Sequence, residues 1–351
     1  MILATLRDWL QLRSREAPNS RIVVAVSGGV DSVALATGLA AVAGETGIAP
    51  SSLLIFAHFN HRLRHEVEHA HDLAVVSKLA RGCGVPLVID SARAGAIEAG
   101  APAAGGVESA ARAARYRFFG DVCRAGGART VCTAHHADDQ VETVLMRLLA
   151  GQTGSQLAGI PGRRELGAGV LLCRPLLTTG RAEIEAFAAE RNLLWSVDRS
   201  NIDPRYRRNR VRTEVLPPIE GEWPAVRHDL LTLASSMEAV RLEARRDAAS
   251  VAITWLGDSA RVSRREFYAL GFEARLELAY DTIRRLDLLR REDRPGHRFF
   301  EPLRGADPGR DHQLIASRGI RVRLEAESLV FEPDIVRPTE RRYLRQRSRE
   351  R

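Results

Sequence analysis

Three short apolar runs, 22–26, 53–57 and 85–89, mark the first quarter of the chain, and a fourth, 129–134, starts with polar residues and ends apolar. They are β-branched in part and too short for helices, so each predicts a buried strand. Between them the apolar period lengthens to that of a helix. Segment 66–81 predicts a helix with Ala70, Leu73, Ala74, Val76 and Leu79 as its stripe, and 108–125 predicts another. A run at 170–173 predicts a fifth strand, and 181–192 a further helix. Near the start, Ile2, Leu3, Leu6, Trp9, Leu10 and Leu12 predict an amphipathic helix packed on the body. Segment 91–106 is rich in Ala and Gly and aperiodic, which predicts a loop. Strands alternating with helices imply an α/β fold: a doubly wound, mostly parallel sheet with helices on both faces.

The remaining third has a different pattern. Leu230, Leu233, Ala234, Met237 and Val240 place a core-facing helix over 223–252, and 273–289 predicts another. Two alternating segments, 320–327 and 329–331, predict a β-hairpin. Pro217 and Pro218 suggest a boundary. The expected organisation is a catalytic domain over 1–216, a smaller helical and α+β region over 217–336, and a tail over 337–351. Seven arginines in that tail predict disorder and non-specific attraction to nucleic acid.

Composition narrows the class. A chain of 351 residues that is 45% hydrophobic can bury sizeable cores. No apolar run is long enough to span a membrane. Arg7, Asp8, Arg13, Arg15 and Glu16 are too many charges for a signal peptide. Cys83, Cys123, Cys132 and Cys173 form no CxxC pair, so reduced thiols and a cytoplasmic setting are expected. The net charge is +8, and Lys78 is the only lysine among 52 basic residues. Arginine's planar fork suits phosphate and its face suits bases, so a polyanionic partner is expected.

The chemistry lies in the polar segments at the strand ends. Ser27-Gly28-Gly29-Val30-Asp31-Ser32 joins the first strand to a helix. Glycines let the backbone approach an anion, and the free N–H groups of the first helical turn point at it. Asp31 beside phosphates needs a cation between them, which implies Mg2+. No lysine is near, so this is not the Gly-Lys-Ser/Thr loop of the common NTPases. His58 to Arg64 comes after the second strand, and His135-His136-Ala137-Asp138-Asp139-Gln140-Val141-Glu142-Thr143 comes after the fourth and opens a helix. Such sheets bind ligands beyond the carboxyl ends of their strands, so one cleft is expected to collect all three. Asp139 and Glu142, three apart, can share a helix face toward Mg2+ or an amine substrate, with Asp138 as a rival N-cap. Of His135 and His136, only one is expected to face the site. Arg112 and Arg115 share a helix face, and five arginines lie between 205 and 212, placed to neutralise pyrophosphate or hold an RNA backbone. Zinc is disfavoured, because the histidines have neither cysteine partners nor helical H-x-x-x-H spacing.

On these motifs the chain resembles the tRNA(Ile)-lysidine synthetases of the N-type ATP pyrophosphatase, or PP-loop, superfamily. The matching stretches are SGGVDS (27–32), HFNHRLR (58–64), E-x-x-A-R-x-x-R-Y (108–116), HHADDQVET (135–143) and D-x-SN-x-D-x-x-Y-x-RNRVR (198–212), covering the first 215 residues or so. The resemblance implies ATP-dependent ligation of free L-lysine to the 2-position of the wobble cytidine in the CAU anticodon of tRNA(Ile), through an adenylated cytidine. It implies ATP on Ser27, Gly28, Gly29, Val30, Asp31 and Ser32, and Mg2+ on Asp31 and Asp139. It places Asp139 and Glu142 on Mg2+ or the lysine ammonium, and Arg112, Arg115, His135, Arg208 and Arg210 on phosphate or the activated nucleotide. Asp31, His135, Asp139, Glu142 and Arg208 would carry the catalysis, and a homodimer is one of the expected partnerships. A tRNA 2-thiolation enzyme would need paired cysteines, and an amidating relative would need an ammonia source. A non-catalytic RNA-binding module would leave Asp31, Asp139 and Glu142 unexplained.

Overall fold

The computed structural model describes residues 1–18, 20–63, 66–104, 106–196, 207–286, 288, 297–305, 312–317 and 319–334. Residues 198–206 of the arginine-rich motif, Arg64 and the tail over 337–351 lie outside them. The chain forms two compact units, Met1–Met146 with Gly159–Ala234, and Arg147–Ala158 with Ser235–Arg351.

The first unit runs α1 (Ile2–Glu16), β1 (Arg21–Ala25), α2 (Val30–Glu45), the short α3 (Pro50–Leu53), β2 (Leu54–Asn60), α4 (Glu66–Cys83), β3 (Leu87–Ser91), α5 (Ala96–Ala104), α6 (Val107–Gly126), β4 (Ala128–Cys132), α7 (Ala137–Leu149), β5 (Arg163–Gly167), β6 (Val170–Cys173), α8 (Arg181–Glu190), α9 (Arg207–Arg210) and α10 (Leu216–Glu222). A π-helical stretch, Val211–Val215, joins the last two. Pro217 and Pro218 fall in the first turn of α10, where a missing N–H costs nothing.

The sheet order is β3-β2-β1-β4-β6-β5, all parallel except β5. Successive residues of one strand enter different cores, as the pleat demands. Ile22 and Val24 join Leu54, Phe56, Cys132 and the helices α1, α2 and α8. Val23 joins Ile55, Ala57, Val131 and the aromatic face of α6, including Phe118 and Phe119. Gly38 permits the approach of α1, since a Cβ there would strike Leu6. The strand order reverses between β1 and β4, and ligands bind such sheets at that switch point.

Some local expectations give way. Segment 91–106 contains a helix, α5, because its alanines carry helix propensity without periodicity; Ile97 packs it against Ala110 and Ala111 of α6. The strand β2 extends through His58, Phe59 and Asn60, so these residues lie in the sheet rather than after it. Helix α4 buries Asp72, Val75, Val76 and Ala80, while Ala70, Leu73 and Ala74 are exposed. Val76 and Ala80 pack into the core with α2 and β2, and Asp72 lies close to the loop after β1, where a Cβ on Gly28 would come within 3.4 Å of its Cα. On α1 Leu12 is exposed and Arg13 is buried, where it donates to the Ser20 and Arg21 carbonyls. Strand β5 has no counterpart in the apolar pattern, since Arg-Arg-Glu-Leu-Gly contains no apolar run.

The second unit contains the C-terminal part of α11 (Val226–Ala249), β7 (Ile253–Leu256), β8 (Ser259–Ser263), α12 (Arg264–Ala269), α13 (Phe272–Arg285), α14 (His297–Phe300), β9 (His312–Ser317), β10 (Ile320–Leu324) and β11 (Ser328–Pro333). Its sheet, β7-β8-β11-β10-β9, is antiparallel throughout and contains the expected hairpin, with Val322 opposite Phe331. Its core gathers Phe267, Phe300, Phe331, Leu276 and Ile283. Among the described residues no helix is long and apolar enough to cross a membrane.

Candidate active site

The turn after β1 is a self-bonded loop. Ser27 donates its backbone N–H to Ser32 Oγ at 3.1 Å, and Ser32 Oγ–H donates to the Gly29 carbonyl at 2.9 Å. Gly29 donates its N–H to Ser27 Oγ at 3.3 Å. Gly28 has φ +98°, a conformation open to glycine and strained for other residues. Ser196 donates its N–H to the Gly28 carbonyl at 2.8 Å, holding the loop from the far side. Val30 is buried as the first residue of α2. Asp31 sits in the first turn of α2 with Oδ1 buried and, among the described residues, without a hydrogen-bond partner. Burial raises its carboxyl above the ordinary value, although His136 and Arg181 pull the other way.

The second wall is the start of α7. Asp139 Oδ2 accepts the His136 backbone N–H at 2.9 Å, the return half of a capping box. His136, 2% exposed, lies between three carboxylates: 3.8 Å from Asp31, 3.5 Å from Asp138 and 3.6 Å from Asp139. Burial alone would lower its imidazole, but these acids raise it. Asp138 is not an N-cap of its own helix. Its Oδ2 accepts the Arg181 N–H at the start of α8 at 2.8 Å, and its Oδ1 meets Arg227 at 2.5 Å. His136, the Arg181 N–H and Arg227 hold its carboxyl well below the usual range. His135 is the histidine that faces the cleft, with Nδ1 3.0 Å from the Thr133 hydroxyl. Burial, followed by Arg174, pushes it down to about 3, so it is neutral at pH 7.

Arg208 binds the two acids of α7 together. Its Nε donates to Glu142 Oε2 at 2.6 Å and its Nη2 to Asp139 Oδ1 at 2.9 Å. Arg212, four residues on, donates Nε to Glu142 Oε1 at 2.6 Å. Glu142 is 2% exposed, and each of its oxygens accepts from a guanidinium. It therefore acts here as the anchor of Arg208 rather than as a cleft-facing ligand. Burial would raise the Asp139 carboxyl, but His136 and Arg208 hold it below its ordinary value.

These elements enclose one cleft of about 630 Å3 at the ends of β1, β2 and β4. Ser27, Gly29, Asp31, Ser32, Arg115, His135, Asp139 and Arg208 line it, together with His58 and Asn60. Arg112 packs over the Tyr116 ring at 5.1 Å, beside Arg115 at 5.6 Å. Arg210 is not brought in: it is paired with Glu214 at 3.6 Å, and its side chain is 59% exposed. Helical spacing explains this, since Arg208 and Arg212 share a face that Arg210 does not. Arg174, Arg164 and Thr133 do not stand out in the sequence. Arg212 does, as the last of the five arginines between 205 and 212, but its place beside Glu142 does not.

A model of the PP-loop domain matches residues 4–219. The chain belongs to the PP-loop family. This PP-loop chain is 43% identical over 200 residues to the tRNA(Ile)-lysidine synthase of Geobacter sulfurreducens, a match over 57% of this chain and 40% of the relative. It is 39% identical over 218 residues to the tRNA(Ile)-lysidine synthase of Symbiobacterium thermophilum, over 62% of this chain and 43% of the relative. The PP-loop chain thus spans about two-fifths of the length of these curated relatives. Among solved structures, the U34-tRNA thiolase NcsA from Methanococcus maripaludis has the same fold, with a TM-score of 0.51 at 15% identity over 68% of this chain and 78% of that one.

Proposed function

We propose that this PP-loop protein uses ATP to ligate free L-lysine to the 2-position of the wobble cytidine in the CAU anticodon of tRNA(Ile). The observation that carries this reading is the meeting of Ser27, Asp31, His135, Asp139 and Arg208 in one cleft. The similarity to lysidine synthases supplies the substrates. In the first step the cytidine 2-oxygen attacks the α-phosphorus of ATP and pyrophosphate leaves. In the second, the lysine ε-amine attacks C2, AMP departs with the oxygen, and the amine loses a proton.

The residues divide the work by chemistry. The backbone N–H groups and hydroxyls of 27–32 cradle the polyphosphate. Asp31 and Asp139 would hold Mg2+: the orphaned, buried Asp31 Oδ1 and the nearby Asp139 are hard oxygen donors beside a phosphate loop. Mg2+ needs only one or two carboxylates where phosphates complete its shell, and when bound it neutralises phosphate charge. Arg208, held in place by Glu142 and Asp139, faces charge that builds on the departing group. Neutral His135 offers hydrogen bonding rather than charge. Where Asp31 alone holds the metal, the Asp139 carboxylate would instead position the lysine ammonium. A cytoplasmic setting belongs to the same reading.

The test combines the purified protein, ATP, Mg2+, labelled lysine and an unmodified transcript of tRNA(Ile) with a CAU anticodon. Label should enter the RNA, and should not when the anticodon cytidine is replaced by uridine or ATP is withheld. A complete mixture that leaves the RNA unlabelled overturns the proposal.

A further inference from the structure

We infer that a backbone phosphate of the RNA substrate seats against a group of guanidiniums gathered around Tyr116, with Arg164 and Arg174 as its new members. The inference rests on the proposed function only in taking RNA as a substrate.

Arg164, on the edge strand β5, lies over the Tyr116 ring at 4.8 Å, joining Arg112 and Arg115 from α6. Arg174, just after β6, is 4% exposed. Its Nη1 donates to the Pro161 carbonyl at 2.6 Å, while its Nε is buried without a partner among the described residues. Among the described residues, neither Arg164 nor Arg174 is paired with a carboxylate; each has an aromatic face or a carbonyl instead. Burial alone would raise the Tyr116 phenol, yet Arg112, Arg115, Arg174 and Arg164 bring it below its ordinary value. Arg174 itself is pushed down to about 10, by burial and by Arg164 and Arg112, although Tyr116 pulls the other way. Arg174 is thus a buried cation facing the half-buried Arg112, Arg115 and Arg164. A buried cation with no carboxylate beside it is costly, so the arrangement makes sense once an anion completes it. Stacking on one ring holds the guanidinium planes ready for phosphate oxygens.

Position selects which anion. Arg115 and His135 line the cleft, so the cluster borders it. Arg112, Arg164 and Arg174, however, are not among the residues that line it. Arg164 reaches the ring from the edge strand β5. That placement beside the cleft favours a phosphodiester of the RNA entering over α6 and β5, not the polyphosphate anchored at Ser27.

The test measures binding of the unmodified tRNA(Ile) transcript to the full chain by fluorescence anisotropy, from about 50 to 200 mM salt. ATP and pyrophosphate binding are measured in parallel. Arg164→Ala should weaken RNA binding by about three- to tenfold and reduce the salt slope by about one. Arg164→Lys should restore the slope, and ATP and pyrophosphate binding should not change. Arg164→Gln carries the same expectation as Arg164→Ala should the shorter side chain disturb folding. Unchanged RNA affinity and slope in a folded variant would overturn the inference alone. Loss of pyrophosphate affinity in place of RNA affinity would also overturn it, assigning the cluster to the leaving group. A wild-type chain that binds no RNA would overturn the parent reading, and this site with it.

Discussion

In the antiparallel sheet of the second unit, Arg321 meets Asp334 at 2.7 Å and Arg323 meets Glu332 at 2.9 Å. Nearby, Arg245 meets the buried Glu277 at 2.9 Å. In the first unit, Arg164 rests on an aromatic ring and Arg174 is buried among other guanidiniums. Arg208, on the cleft wall, is paired but shares its acids with Arg212 and His136. Both units draw on the same arginine-rich composition. The contrast teaches that the net charge of +8 carries little information about partners. What matters is whether each cation has a counter-charge inside the fold. In the second sheet Arg321 and Arg323 do, and such pairs organise a surface. Beside the cleft, among the described residues, Arg164 and Arg174 do not, and by our inference an RNA phosphate supplies the charge.

Three substitutions sharpen that contrast. The largest effect belongs to Asp31→Ala, which removes a carboxylate whose Oδ1 accepts no hydrogen bond among the described residues. Ligation should fall at least about a hundredfold while thermal unfolding is little changed. A fully active variant would refute the metal and phosphate role of Asp31. Next comes Glu142→Gln, which withdraws the charge that anchors both Arg208 and Arg212. Because Glu142 is 2% exposed, denaturant unfolding should register a loss of about 2–4 kcal/mol, with activity reduced through a displaced Arg208. Unchanged stability would mean that the guanidiniums find other partners. The smallest effect is expected in the second unit: Arg323→Ala breaks an ion pair in which the arginine is 39% exposed. It should cost less than about 1 kcal/mol by the same measurement. A larger loss would erase the distinction between the two groups of arginines.

Much of the first unit was legible because its chemistry is local. A polar motif at the end of an apolar strand must lie at the sheet's carboxyl edge, and that places Ser27, Asp31, His135 and Asp139 together. The partnership of Glu142 with Arg208 and Arg212 was hidden, since more than sixty residues separate these groups and side-chain direction is not written in spacing. Asp138 and Asp139 look alike in sequence and part company only when α8 arrives to take one of them. Arg164 and Arg174 were invisible among 52 basic residues, since only tertiary packing brings them to Tyr116. Helix α4 misled for a related reason. Its inward face is shifted from the predicted stripe: Val75, Val76 and Ala80 are buried, and Asp72 sits beside the Gly28 loop. The second sheet was only half foreseen because β7 and β8 are too short for their alternation to stand out, even with Gly257-Asp258 as a two-residue turn between them.

The hydrogen bond from Ser196 to the Gly28 carbonyl ties two distant parts of the first unit's chain at a single peptide. The shape of the glycine turn therefore depends on chain length downstream. An insertion of one residue between Leu193 and Ser196 would leave every side chain of 27–32 in place and still detune that turn. The stretch after α8 is thereby yoked to a loop more than 160 positions earlier.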